Sequence, residues 1–214
     1  MDVIIDNAGH LWTGMQTTLS LTAASAVVAL VLGVALAACR VSPIPSLRVP
    51  ASGFVALMQN LPLTVLFFLV VFGAPKLDVT GLSYWTRAVI ALGLYTSAFV
   101  CEVVRSGINT VPAGQAEAAR AIGLGFGQNL RSVILPQALR TVVGPMASTL
   151  IALTKNTSVA VGFAVLELTS VVNRLNETGD AVPGLFGVAL CYLVLILAMS
   201  WAFELLERKV AFAR

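Results

Sequence analysis

Three long stretches of this chain contain no charged side chain and no histidine. They lie between His10 and Arg40, between Arg48 and Lys76, and between Asp180 and Glu204. Each stretch exceeds the roughly 20 residues that an α-helix needs to cross the hydrocarbon core of a bilayer. The stretches are too long for the strands of a membrane β-barrel, and they do not alternate apolar with polar residues. This pattern predicts an all-α membrane protein.

Two further apolar stretches are interrupted by single charges. Residues 84–104 contain Arg87 and Glu102, and residues 142–165 contain Lys155. With these included, we predict one transmembrane domain over residues 1–214 with five transmembrane helices, at residues 14–38, 52–72, 84–104, 142–165 and 183–205. Only 11% of the residues are charged, against roughly 25% in a soluble domain. This composition agrees with a bilayer environment.

The distribution of Lys and Arg predicts the orientation of the chain, because cationic loops stay in the cytoplasm. With the N-terminus outside, nine cations fall in inner segments: Arg40, Arg48, Arg105, Arg120, Arg131, Arg140, Arg208, Lys209 and Arg214. Three fall in outer segments: Lys76, Arg87 and Arg174. We therefore predict an outer N-terminus and a cytoplasmic C-terminus. The net charge of +3 then reflects topology and attraction to membrane lipid, not nucleic-acid binding.

The segment at residues 105–140 is predicted to be a cytoplasmic loop, and it is too polar to span. Its apolar residues recur at Ala118, Ala121 and Ile122. That spacing fits short amphipathic helices, which we expect to be interrupted at the glycines of the segment, Gly123, Gly125 and Gly127.

A motif with fixed spacing lies in this loop. Glu117-Ala118-Ala119 is followed by Gly123, then by Val133 and Leu135-Pro136. The spacing resembles the EAA loop of ABC-importer permeases, which usually have isoleucine where Val133 stands. Residues 153–158, which read Leu-Thr-Lys-Asn-Thr-Ser, resemble the polar amino acid uptake branch. Residues 40–43, 95–97 and 106–110 are most similar to its glutamate-uptake permeases.

The resemblance implies a function and a set of partners. It implies a type I ABC-importer permease subunit in the bacterial plasma membrane that carries glutamate or a related polar amino acid. The implied partners are a cytoplasmic ABC ATPase dimer, a second permease chain that is homologous but different, and an extracytoplasmic amino acid binding protein. The sequence has no phosphate-binding G-x-x-x-x-G-K-[ST] loop, so ATP and Mg²⁺ would be held by the ATPase and no cofactor by this chain.

The motif residues have physical roles that suit a coupling helix. Ala118 and Ala119 keep the helix slim, and Glu117 is expected near a helix start, where it can pair with a partner's arginine. We expect Gly123 to end the helix in a left-handed conformation. Leu135 and Pro136 would begin the next helix. The alternative is an ordinary amphipathic helix on the inner leaflet.

Six polar residues near the predicted spans are candidates for the translocation path: Gln59, Asn60, Glu102, Lys155, Thr157 and Ser158. Lys155 is expected in the outer half of the membrane, where it lines the path, forms a structural pair or reaches to the interface. Thr157 and Ser158 either face the same cavity or bond to the helix backbone.

Each of the other three candidates also has two interpretations. Glu102 either contacts substrate or pairs with Arg105, three residues further along the same helix. Gln59 and Asn60 either line the path or form hydrogen bonds between helices.

Two other function classes compete with the importer. An ion-coupled secondary carrier would act without an ATPase, but such carriers usually contain inverted repeats, and none is visible. A membrane-bound enzyme has no support, because the sequence contains no cluster of metal ligands and no nucleophile with a nearby base. The three cysteines, Cys39, Cys101 and Cys191, have no disulfide or metal-site spacing and are expected to be buried as small apolar residues.

Overall fold

The computed structural model describes residues 2–77, 81–177 and 179–210, and every regular element in them is helical. The α-helices are α1 (Asp2–Asp6), α2 (Ala8–Val41), α3 (Pro45–Asn60), α4 (Leu63–Phe68), α5 (Ala74–Lys76), α6 (Tyr84–Asn109), α7 (Ala113–Ala121), α8 (Phe126–Asn129), α9 (Leu135–Asn156), α10 (Ser170–Glu177) and α11 (Ala181–Val210). The all-α prediction is confirmed for this part of the chain. Arg214, which was counted among the inner cations, lies outside the described residues.

Two kinds of helical turn connect these elements. The π-helical turns Leu69–Gly73 and Leu130–Ile134 join α4 to α5 and α8 to α9. A 3₁₀-helix, Thr157–Phe163, continues α9. The chain therefore runs as one helical segment from α8 through α9 to the end of the 3₁₀-helix.

Three of the described helices, α2, α6 and α11, are long and apolar enough to cross a membrane. A fourth span results if the bent pair formed by α3 and the run Leu63–Lys76 is counted as one. α9 is long enough at 22 residues, but it is not among the described helices that are also apolar enough. The structure therefore supports a helical membrane protein, while the fifth span stays a prediction.

Residues 52–72 do not form the single helix that hydropathy predicts. α3 begins at Pro45 and ends at Asn60, and the following helical run is bent from it by 108°. Pro62 has no N–H to continue the hydrogen-bond ladder, and it drives Leu61 into an extended conformation with φ −87° and ψ 129°. Hydropathy missed the break because the stretch is apolar on average, although the polar residues Gln59 and Asn60 directly precede the break.

The segment predicted to span residues 142–165 is also different in detail. α9 already begins at Leu135, and its α-helical part ends at Asn156. The 3₁₀-helix that follows stops at Ala164, which has a left-handed φ of +62°. The short helix α10 begins at Ser170, after the loop that follows the 3₁₀-helix.

Small residues allow α2 and α6 to pack closely along the centre of the bundle. A Cβ atom added at Gly33 would lie 2.4 Å from Val100 Cγ1, and one added at Gly93 would lie 2.6 Å from Val28 Cγ1. Contact through small residues is typical of membrane helices, since lipid supplies no hydrophobic force to drive helices together. The α2–α6 pair therefore forms the frame on which α3 and α9 pack, while α11 packs mainly on α9 and α10.

A buried carboxylate fastens the loop after the 3₁₀-helix to this frame. Glu167 is fully buried, and it accepts hydrogen bonds from Thr18 Oγ1 of α2 at 3.1 Å and Tyr192 Oη of α11 at 2.7 Å. The backbone N–H of Thr169 donates to its other oxygen at 2.8 Å. Glu167 therefore links α2, α11 and the segment before α10 at one end of the bundle.

Candidate functional site

The short helix α7 is barely covered by the rest of the chain. Ala119 is its one buried residue, at 4% exposure. Ala118 and Ala121 are exposed, and Ile122 just after the helix is 78% exposed. The apolar positions that the amphipathic pattern assigned to a covered face are therefore open in this chain. Their small side chains leave a slim helix surface that another protein can approach closely.

Glu117 lies on the open part of α7 but not at the helix start. α7 begins at Ala113, so Glu117 falls in the second turn, beyond the first turn in which the helix dipole acts most strongly. The expected position near the start was therefore wrong. The side chain is exposed, and no described residue forms an ion pair with it. Its carboxylate is free to pair with a group outside this chain.

Gly123 reverses the chain after α7. Its φ of +83° is in the left-handed region, as expected for a glycine that ends a helix. The N–H of Leu124 then donates to the carbonyl of Ala119 at 3.0 Å. Gly127, by contrast, lies inside α8, so the predicted interruption at that residue was wrong.

Leu135 and Pro136 are the first two residues of α9. They do not begin a separate helix, because the π-helical turn Leu130–Ile134 leads directly into α9. Both residues are exposed. A π turn accommodates an extra residue within a helix, and here it immediately precedes the proline whose N–H is missing.

Glu102 is held between two arginines. Arg105 Nη2 lies 2.8 Å from Glu102 Oε2, so the predicted pairing along α6 is present. Arg40 of α2 binds the other carboxylate oxygen, which the sequence did not predict. The sequence did contain a hint of this pair, because Arg40 and Glu102 both lie near the predicted inner ends of their helices, at a similar depth in the membrane. Glu102 thus links α2 to α6 in this conformation.

Lys155 lines an open groove between the end of α9 and α11. The groove has a volume of about 550 Å³, and Ser158, Thr169 and Tyr192 provide its polar groups. Lys155 is exposed and has no ion pair within the described ranges. Its charge is therefore available to an anion.

The hydroxyls next to Lys155 are used within the helix. Thr157 donates to the carbonyl of Thr154 at 2.7 Å, and Ser158 donates to the carbonyl of Lys155 at 2.8 Å. Both bonds follow the backbone-bonding alternative. Gln59 and Asn60 are exposed at the end of α3, and Asn60 bonds to its own helix at Ala56. Gln59 and Asn60 do not line the Lys155 groove, whereas Ser158 does.

A second polar cavity between α6 and α9 was not predicted. Its volume is about 390 Å³, and Thr96, Ser148, Thr149 and Asn156 supply polar side chains to its wall. The hydroxyl of Thr96 is buried without a hydrogen-bond partner among the described residues. An unpaired buried hydroxyl favours a polar occupant.

Comparison with known proteins agrees with this arrangement. The family model of the binding-protein-dependent transport system inner membrane component matches residues 29–212. This chain belongs to that family. It is thus an integral inner-membrane permease of the ABC importer class, and the EAA loop and its coupling helix are typical of the class.

Individual members of the inner membrane component family match almost the whole chain. The glutamate transport system permease protein GluC of Corynebacterium efficiens is 40% identical over 96% of both chains. The arginine transport system permease protein ArtQ of Bacillus subtilis is 31% identical over 92% of this chain and 90% of its own. One chain in the crystal structure of an amino acid ABC transporter with histidines is 26% identical, with a TM-score of 0.91 over 97% of both chains.

Proposed function

We propose that this permease carries glutamate or a related polar amino acid into the cell, and that α7 is the helix through which an ATPase drives it. The observation that carries the proposal is the open surface of α7, on which Glu117 and Ala118 are exposed and Glu117 has no ion pair among the described residues. A helix that packs so little against the rest of its own chain has most of its surface free to contact a partner protein. The family supports a cytoplasmic ABC ATPase dimer as that partner.

The coupling surface would consist of the motif residues Glu117, Ala118, Gly123, Leu135 and Pro136, with the buried Ala119 beneath it. Glu117 would pair with a cation on the ATPase, and the alanines would allow the backbone to approach the groove closely. Gly123 sets the angle between α7 and the helical run that leads to the membrane. ATP and Mg²⁺ would bind to the ATPase, whose closure favours one of two packings of the permease helices.

The path would follow the polar groups of α6 and α9. Lys155 would attract the carboxylate that every amino acid carries, with Thr157 and Ser158 next to it. The cavity that contains Thr96 and Asn156 offers hydrogen bonds closer to the frame helices. Glu102 with its two arginines would form the inner end of the path, and Gln59 and Asn60 would stand at the break between α3 and α4.

The proposed topology has five spans with the N-terminus outside and the C-terminus inside. The bent pair of α3 and Leu63–Lys76 would be the second span, and α9 with its 3₁₀ extension the fourth. A second, different permease chain would complete the path. An extracytoplasmic binding protein would deliver the amino acid at the α10 end.

Substrate and energy source can be tested together in proteoliposomes that contain the complete complex. We expect saturable glutamate uptake that requires ATP inside and the binding protein outside. Uptake of arginine but not glutamate would contradict the glutamate assignment, though not the transport class. Uptake driven by an ion gradient without ATP would favour the secondary-carrier alternative and contradict the proposal.

A further inference from the structure

A side-chain hydrogen bond from Asn129 connects α7 to the helical run that leads into the membrane. Asn129 Nδ2 donates to the carbonyl of Ala116 in α7 at 3.1 Å, across 13 residues of sequence. Asn129 is only 6% exposed, whereas the two residues before it in α8, Gly127 and Gln128, are exposed. It is therefore the buried polar contact between α7 and α8.

The position of Asn129 at the base of the helical run gives this contact a mechanical consequence. The run continues from α8 through the π turn and α9 to Asn156. At 1.5 Å per residue, the distance along the axis from Asn129 to Asn156 is about 40 Å. If α7 and the run turn together, a small rotation at α7 therefore moves the far end of α9, where Lys155 lies, by a larger distance.

Few other interactions fix α7 in place. Ala119 is the buried apolar residue of the helix, and an alanine provides little contact area. Helix α7 has no side-chain hydrogen bond at its N-cap, Pro112. The bond from Asn129 is thus the main directional restraint between α7 and the helical run.

We propose that Asn129 is a positioning residue that makes α7 and the α8–α9 run move as one body. This rests on the proposed function, in which α7 receives the ATPase. The role assigned to Asn129 is transmission of movement and not ATPase binding, because its side chain is buried behind α7. The EAA spacing does not include this position, so motif reading could not find it.

The substitution Asn129→Leu can separate transmission from folding. It removes the donor at similar side-chain size, and it also removes Asn129 Oδ1, which is buried without a hydrogen-bond partner among the described residues. The Ala116 carbonyl keeps its partner within the α-helix. No buried polar group is therefore left unpaired by the change, and the variant is expected to fold.

The matched control is Gln128→Ala on the same short helix. Gln128 is exposed, and its Oε1 accepts a hydrogen bond from the N–H of Gly125 at 3.0 Å. That bond stays within the turn before α8 and does not reach α7. The control therefore removes one polar side chain from α8 without loosening the connection to α7.

The measurement is the amount of glutamate taken up per ATP hydrolysed by the complete reconstituted complex. A loss of folded protein lowers uptake and hydrolysis together, so the ratio reports transmission alone. We expect Asn129→Leu to lower the ratio roughly three- to tenfold, the effect of one lost hydrogen bond on an equilibrium. Gln128→Ala should keep the wild-type ratio, and the ATPase should co-purify with both variants.

Three results would overturn the role of Asn129. They are an unchanged ratio in Asn129→Leu, an equal fall in both variants, and loss of ATPase co-purification in Asn129→Leu. Failure of the proposed function itself is visible separately, since the wild-type complex would then hold no ATPase or show no ATP-dependent uptake.

Discussion

At the scale of single residues, the side chains with the clearest physical roles are those whose charges the fold has paired or buried. Glu102 has an arginine on each oxygen, whereas Glu117 and Lys155 are exposed without such partners in the described ranges. Charges that a membrane protein leaves unpaired near a predicted path or a partner surface usually act on something outside the chain. Under the proposed function, this contrast distinguishes Glu117 and Lys155, which would act on a partner or substrate, from Glu102, which also links α2 to α6.

Glu167 leads to a prediction about pH. It lies in the connection between the 3₁₀-helix and α10, and burial raises the pKa of its carboxyl above the ordinary value of 4.5, against the opposing hydrogen bonds from Tyr192 and Thr169. A raised pKa in the folded state means that folding favours the protonated form. Its stabilising contribution is present at low pH and is lost as the pH rises above 4.5 through the raised pKa.

The check is thermal unfolding of the purified protein at about pH 5 and about pH 8, for the wild type and Glu167→Gln. We expect the wild type to gain stability at the lower pH relative to the higher, and the gain to be smaller in the variant, which cannot titrate at this position. Identical pH dependence in both proteins would show that Glu167 does not contribute.

At the scale of helices, hydropathy located α2, α6 and α11 but did not predict where helices bend. Pro62 breaks the second apolar stretch because its effect is on the backbone, which hydropathy does not register. Glu102–Arg105 could be predicted from a spacing of three residues, while Arg40–Glu102 and Asn129–Ala116 depend on tertiary packing. In the candidate site, the left-handed conformation of Gly123 could be predicted, because glycine adopts it without strain. The alanine pattern did not predict that Ala119 would be the buried one.

Close packing of α2 on α6 predicts a large difference between two glycines. Gly33→Leu would place side-chain atoms into Val100 and the carbonyl of Ser97, whereas a Cβ added at Gly53 of α3 would meet no packed neighbour within 4 Å. We expect Gly33→Leu to destabilise the fold by about 1–3 kcal/mol. Gly53→Leu, the control, should unfold at or above the wild-type temperature, because leucine favours a helix more than glycine does. Equal unfolding temperatures for the two variants would contradict the close approach of α2 and α6.

At the scale of the whole molecule, the proposed topology places α7 and α10 on opposite sides of the membrane. Asn173 of α10 and Gln115 of α7 are both exposed, so a cysteine at either position should react wherever the reagent can reach it. In intact cells, a membrane-impermeant maleimide should label Asn173→Cys and not Gln115→Cys. The wild type provides the background, since Cys101 is buried and Cys39 and Cys191 are partly buried. Labelling of Gln115→Cys alone would show that the orientation in the membrane is the opposite of the proposed one.

The proposal on which the others depend is that an ATPase held at Glu117 drives this permease. Its sharpest test is co-purification of the ATPase with Glu117→Lys, with Glu177→Lys of α10 as the control, because both replace an exposed glutamate on a short helix. We predict that Glu117→Lys remains in the membrane but loses the ATPase and ATP-driven uptake, while Glu177→Lys retains the ATPase. Full ATPase recovery and normal uptake with Glu117→Lys would contradict the proposal.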